Sequence, residues 1–157
     1  MRVGLFMVGL KSSDAKGKQM FEIVEQEYES VEEFKNEIIN SFAEARGQPF
    51  GWGQFAYEAL DNGERVGVVM GYWLYDWLYV EYLAVTEASR GEGVGSRLLE
   101  RAEAYARELS LEGVALDTFG YQAPAYYETR GYAKGMVIPG KNHERDRIYF
   151  QKRLKGS

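Results

Sequence analysis

The chain has no cysteine and a single histidine, His143, among its 157 residues. Without thiols there is no disulfide framework and no cysteine nucleophile, and one imidazole does not build a zinc site of the usual kind. The same lack fits a reducing, cytoplasmic compartment. Proline is scarce, at three copies, so few positions interrupt an element by force. No apolar run approaches the roughly 20 residues that cross a bilayer as a helix, and no membrane partner is expected. Basic residues are in the minority: 19 Lys and Arg stand against 24 Asp and Glu, a formal net charge of −5. That balance argues against a nucleic-acid footprint and is compatible with attracting cationic amines.

What is present is ordinary for a globular protein, 45% hydrophobic and 27% charged, and the length suits one domain with a substantial core. Residues 1–18 read as an N-terminal arm, because Lys11 to Lys18 is too polar to pack, and residues 19–157 read as the domain. Met1 to Leu10 carries one arginine and a short apolar stretch, but no small-residue cleavage site follows as in a signal peptide. Met20 to Tyr28 alternates apolar with polar residues and suggests a first strand. Ser30 and Glu33 then form a capping-box pattern ahead of Val31, Phe34, Ile38 and Phe42 on one helical face. From Gln54 the rhythm becomes that of an antiparallel meander. Phe55 to Leu60, an Asp61-Asn62-Gly63 turn, Arg65 to Leu74, a turn near Tyr75-Asp76 and a strand ending at Val85 follow one another. Later come a strand over Gly113 to Phe119, a short helix from Pro124 to Thr129, and strands near Tyr132 to Ile138 and Arg147 to Leu154.

Between the strand ending at Val85 and the next helix lies Arg90-Gly91-Glu92-Gly93-Val94-Gly95-Ser96. A strand that ends in a glycine turn and opens a helix gathers unpaired backbone N–H groups at the positive end of the helix dipole, which is a phosphate site. The helix is amphipathic. Val94, Leu98, Ala102, Tyr105, Ala106 and Leu109 form its apolar stripe, with Leu99 at the margin, while Arg97, Glu100, Arg101, Glu103, Arg107 and Glu108 take the other face. A Walker loop would need Lys before a hydroxyl residue, and a dinucleotide fingerprint would need two residues between its second and third glycines; neither pattern is met.

The stretch resembles the acetyl-coenzyme A signature of the GNAT superfamily of N-acetyltransferases, in which Arg or Gln is followed by two residues, Gly, one residue, and Gly or Ala. Arg90, Gly93 and Gly95 fit it. Tyr82-Leu83-Ala84-Val85 looks like that family's fourth strand. Ala123 to Tyr132, with its Tyr126-Tyr127 pair and Gly131-Tyr132 ending, looks like its second motif. The resemblance spans about Gln19 to Leu154 and implies an α+β fold: a central mixed, mostly antiparallel sheet with helices on both faces. It also implies acetyl-CoA as acetyl donor and direct transfer to an amine in a ternary complex, with no metal expected; members of the family are often dimers, and the final strands are candidates for a homodimer contact.

Residue by residue, the resemblance makes Tyr127 the general acid facing the sulfur, a phenol near ~10 against a thiol near ~8.5. It sets the backbone of Leu83, Ala84 and Val85 beside the pantetheine arm, a backbone N–H near Val85 at the oxyanion, and residues Arg90, Gly91, Glu92, Gly93, Val94, Gly95 and Ser96 around the diphosphate. Glu92 must then point to solvent, since a carboxylate would repel the anion. Glu81 is the candidate base or ammonium ligand; strict alternation puts it on one face with Tyr79, Leu83 and Val85, a carboxyl among apolar groups. An edge-solvated or ion-paired glutamate is the competing reading. Gly120 departs from the family, which often carries Asn or Ser there. Trp52, Trp73, Tyr75, Trp77 and Tyr79 with Glu58 and Glu81 read either as a cation-binding cage or as sheet packing. His143 reads as a solvated loop residue. The expected activity is transfer to a primary amine of a small molecule; the alternatives are a protein or peptide N-acetyltransferase and a non-catalytic acyl-CoA-binding module.

Overall fold

The computed structural model describes residues 22–49 and 51–154. The chain divides into two compact units, Met1–Phe50 and Gly51–Ser157. The arm expected over residues 1–18 lies outside the described residues.

In the first unit, helix α1 spans Glu32–Glu44 behind a 3-10 turn at Glu29–Val31. The helix is where its period placed it, but the capping box does not form. The 3-10 turn moves the helix start past Ser30, whose hydroxyl donates backward to the Glu27 carbonyl at 2.8 Å. The expected strand before it is absent as well: residues 22–27 have no regular structure, and Ile23 is 97% exposed. Alternation alone forms no strand unless a neighbouring edge takes its hydrogen bonds.

The second unit is a six-stranded sheet, β1 Trp52–Asp61, β2 Glu64–Leu74, β3 Trp77–Val85, β4 Gly113–Phe119, β5 Ala133–Ile138 and β6 Arg147–Arg153, in the order β1-β2-β3-β4-β6-β5. Only β3 and β4 pair in parallel; the other neighbours are antiparallel. The α+β class and the mixed, mostly antiparallel sheet are as expected. Asn62 and Gly63, both at positive φ, close the β1–β2 hairpin between the paired Asp61 and Glu64, the conformation an Asn-Gly turn requires.

Helix α2, Val94–Glu108, crosses from β3 to β4 and packs its apolar side on the sheet. Val69, Leu78, Val114, Ala102 and Ala106 are fully enclosed there, and Leu99 is 1% exposed, at the centre of the buried arc rather than its margin. That arc is wider than the sequence period suggests. Glu103, assigned above to the solvent face, is buried; Lys152 Nζ reaches its two oxygens at 2.8 and 2.9 Å and the Tyr132 hydroxyl donates to it at 3.1 Å. Lys152 comes from β6 and Arg107, 3.5 Å away, from the same helix, so the folded sheet adds the close partner that lets a carboxylate be buried. Against the same sheet face lies the short helix α3, Ala125–Glu128, with Tyr127 packed on Phe150 and Tyr132.

Candidate functional site: a wedge between two parallel strands

Strands β3 and β4 pair only from Trp77 to Val80 and from Gly113 to Leu116. Beyond that point β3 runs on to Val85 hydrogen-bonded to β2, and β4 runs on to Phe119 hydrogen-bonded to β6. Two neighbouring parallel strands thus separate into a wedge whose walls carry unpaired backbone groups. Thr86 donates its N–H to the Val66 carbonyl at 2.9 Å. Backbone groups alternate along an antiparallel strand, so Ala84 also faces β2, while the N–H and C=O of Leu83 and Val85 face the wedge.

A bulge marks where the separation begins. Met70 pairs with Tyr82 but Gly71 pairs with Val80, which leaves Glu81 without a partner on β2. The inserted residue reverses the phase of the strand. Leu78 and Val80 lie over the α2 face with Leu83 and Val85, whereas Tyr79, opposite Tyr72, points to the other side, its ring stacked on Tyr72 at 5.1 Å. The single face expected for Tyr79, Glu81, Leu83 and Val85 therefore does not exist. Glu81 is exposed rather than set among apolar groups, and no ion pair joins it among the described residues. Only Gly fits at 71, since a Cβ there would overlap the Tyr79 carbonyl oxygen.

The glycine turn sits at the wide end of the wedge. Gly93 is the N-cap of α2 at φ 81, a left-handed conformation that frees the first-turn N–H groups of any side-chain cap, and the first turn holds no acidic residue. Arg90, Gly91 and Glu92 are exposed, so the Glu92 carboxylate stands in solvent; Val94, Gly95 and Ser96 are half-buried. On the inner side of the turn, a Cβ at Gly95 would meet the Tyr126 hydroxyl at 3.2 Å and Val85 Cγ2 at 3.5 Å.

Helix α3 brings its two tyrosines to this place at right angles, ring centroids 5.2 Å apart. Burial pushes the Tyr127 hydroxyl up to about 12, with Tyr126 and Asp117 adding to the rise and Arg130 opposing it. Tyr126, expected to pack in the core, does touch it, yet its hydroxyl is buried with no hydrogen-bond partner. Arg130 lies flat on the Tyr126 ring at 3.6 Å and donates to the Ser96 hydroxyl in the first turn of α2.

The opposite mouth of the wedge carries Asp117 on β4, held by Arg147 of β6 through two hydrogen bonds of 2.6 and 2.8 Å. Sequence reasoning passed over Asp117, Arg147 and Arg130; their spacing in the chain carries no motif. Of the residues read as a cation cage, Trp73, Trp77, Tyr79 and Glu58 do not converge. Trp73 pairs with Leu78 and faces α2, Tyr79 faces away, Trp77 pairs with Gly113 at the far end of the strand, and Glu58 is taken by Arg65 at 2.8 Å. His143 is solvated, as expected, 3.1 Å from Asp146. Gly120 is glycine for a local reason: a Cβ would overlap the His143 carbonyl oxygen where the two loops cross. A cavity of about 580 Å³ runs from the glycine turn at Glu92 and Val94 along α2 past Arg97 to Tyr57 and Ala59 of β1.

Comparison with known proteins agrees with this geometry. The model of the acetyltransferase (GNAT) family matches residues 17–132. A mixed sheet with a strand wedge opening onto a glycine turn, together with that match, defines the class: the chain belongs to the GNAT acetyltransferase family. It is 40% identical to blasticidin-S acetyltransferase of Streptomyces morookaense over 84 residues, 53% of this chain and 62% of the relative, so the match spans less than two thirds of that protein. Its fold matches an acetyltransferase from Bacillus cereus ATCC 14579 with TM-score 0.74 and 26% identity, over 85% of this chain and 98% of the other. An acetyltransferase from Bacillus anthracis str. Ames, provisionally described as acting on streptothricin and solved with acetyl coenzyme A, matches in fold with TM-score 0.59 and 24% identity, over 64% and 62% of the two chains.

The site offers wedge-facing backbone amides, an uncapped helix N-terminus and a buried hydroxyl lacking a partner. Among the described residues no cluster of His, Asp and Glu could hold a metal, and no helix is long and apolar enough to cross a membrane.

Proposed function

We propose that this chain is an N-acetyltransferase that moves an acetyl group from acetyl-CoA to a primary amine of a small molecule, by direct transfer in a ternary complex. The observation that carries the reading is the wedge between β3 and β4, which leaves backbone donors and acceptors free in an otherwise hydrogen-bonded sheet. The 40% identity to a relative named for blasticidin-S supports a small-molecule acceptor.

The donor supplies an activated acetyl group as a thioester. Leu83 and Val85 hold its arm as an added strand would be held, Ala84 fixes β3 to β2 behind them, and the N–H group near Val85 is placed to stabilise charge on the carbonyl oxygen. The turn from Arg90 through Gly91, Glu92, Gly93, Val94, Gly95 and Ser96 takes the diphosphate on backbone amides.

Tyr127 holds a proton at its hydroxyl beside the wedge. At about 12 that proton sits roughly three orders of magnitude uphill of a thiol near 8.5, further than the unperturbed phenol considered from sequence. Tyr127 therefore acts chiefly as a hydrogen-bond donor to the departing sulfur, and the thiolate takes its final proton from the amine through solvent. Glu81, exposed at the bulge, attracts the ammonium form of the acceptor to the mouth opposite α2.

A panel of small amines, peptides and N-terminal peptides with acetyl-CoA, read by thiol release and by thermal shift, tests this. Turnover of small amines is expected. Peptide turnover alone would replace the acceptor class, and stabilisation without thiol release would make the chain a binding module.

A further inference from the structure

Arg130 occupies an electrostatic position that the protein by itself leaves unresolved. Its guanidinium stands at the first turn of α2, the positive end of that helix dipole, where a cation is disfavoured and an anion favoured. No carboxylate offsets it: the first turn of α2 has no acidic residue, and among the described residues no ion pair reaches Arg130. Its acceptors are all neutral, the Ser96 hydroxyl, the Thr129 hydroxyl at 3.3 Å and the Tyr126 carbonyl at 2.9 Å.

Beside it stands a second unmet group. The Tyr126 hydroxyl is buried and has no partner, and it packs against Gly95, beside the place a side chain there would take. A buried hydroxyl left unpaired is destabilising, and an acceptor supplied by a ligand relieves it. Cation, hydroxyl and free helix amides thus converge on one place, each a donor and each short of an anionic acceptor.

We propose that Arg130 and Tyr126 are side-chain ligands of the donor's diphosphate, closing over it from α3 while the α2 amides hold it from below. The inference rests on the acetyl-CoA reading above and adds to it. The charged contact moves from Arg90, which is exposed on the outer side of the turn, to Arg130, which is half-buried on the inner side. Binding draws the guanidinium from Ser96 to the phosphate while its stacking on Tyr126 is kept. Because Tyr127 adjoins Tyr126 on the same helical turn, filling the phosphate site also fixes the helix that carries the hydrogen-bond donor to the sulfur.

Calorimetric titration of the full chain with acetyl-CoA and with acetyl-pantetheine, which lacks the diphosphate, tests the assignment. For Arg130→Met the expected result is a 10- to 50-fold weaker Kd for acetyl-CoA, a smaller salt dependence, and an unchanged Kd for acetyl-pantetheine. For Tyr126→Phe, acetyl-CoA should weaken several-fold while the melting temperature without ligand holds or rises, since an unpaired hydroxyl is removed. This second variant decides the matter if Arg130→Met does not fold. Equal losses for both ligands, or no loss for acetyl-CoA, would overturn the proposal and leave the acetyl-CoA reading standing. Failure of the unaltered chain to bind either ligand would overturn both.

Discussion

Tyr79 and Leu83 lie on opposite faces of β3, although four positions separate them and an unbroken strand would put them on the same one. The difference is Glu81, inserted without a partner on β2 at the level where β3 and β4 part. One extra residue thus sits just past the last parallel pair, leaves its carboxylate exposed, and returns Leu83 and Val85 to the core side.

Gly71 is the counterpart of that insertion, because its missing side chain admits the Tyr79 carbonyl. Gly71→Ala should cost about 2–4 kcal/mol, since backbone rather than a flexible side chain must move. Urea denaturation checks this, and a loss under 1 kcal/mol would mean the bulge relaxes without harm.

Tyr127→Phe should lower kcat roughly 10- to 100-fold and leave the Kd for acetyl-CoA within a few-fold, because the ring keeps its packing on Phe150 and loses only the donor. Pre-steady-state rates with calorimetry read both quantities. Equal turnover by the variant would remove Tyr127 from the chemistry.

The same hydroxyl has a signature in stability. Its value rises from 10.0 unfolded to about 12 folded, so the neutral form is favoured by folding. That stabilisation is complete below pH 10 and is lost as pH climbs toward 12. Melting temperatures of the parent should fall more steeply than those of Tyr127→Phe across this window. Parallel curves would show the hydroxyl to be solvated.

Glu81→Gln should raise KM for a cationic amine about 10-fold and leave the melting temperature within about 1 °C, since the carboxylate is exposed and unpaired among the described residues. An unchanged KM across the amine panel, at low and high salt, would reject its role in attracting the acceptor.

Glu103 is the buried charge most sensitive to losing its partner. Lys152→Met should destabilise by about 2–3 kcal/mol because it leaves the buried carboxylate only the longer contact to Arg107 at 3.5 Å, and adding Glu103→Leu should restore much of the loss. A double-mutant cycle in urea measures the coupling, and additive effects would show that the pair is not coupled.

Local chemistry was legible in the chain wherever neighbours in sequence settle it. The Asn62-Gly63 hairpin, the glycine turn before α2 and the 3.6-residue period of that helix are short-range facts, and each formed where it was expected. The failures share one feature, dependence on a distant partner. Ser30 looked like a cap until a 3-10 turn carried the helix start past it, and Glu103 looked solvent-facing because Lys152 stands far along the chain.

By itself, then, the sequence determined the strand and helix inventory of the second unit, the glycine turn before α2 and the family, because hydrophobic period and glycine spacing act through adjacent residues. The tertiary structure alone decided the wedge, the phase of β3 around Glu81, the burial that raises Tyr127, and the meeting of Arg130 with Ser96. Each of these depends on where one strand stops pairing with another, and that is fixed by contacts between segments far apart in the chain.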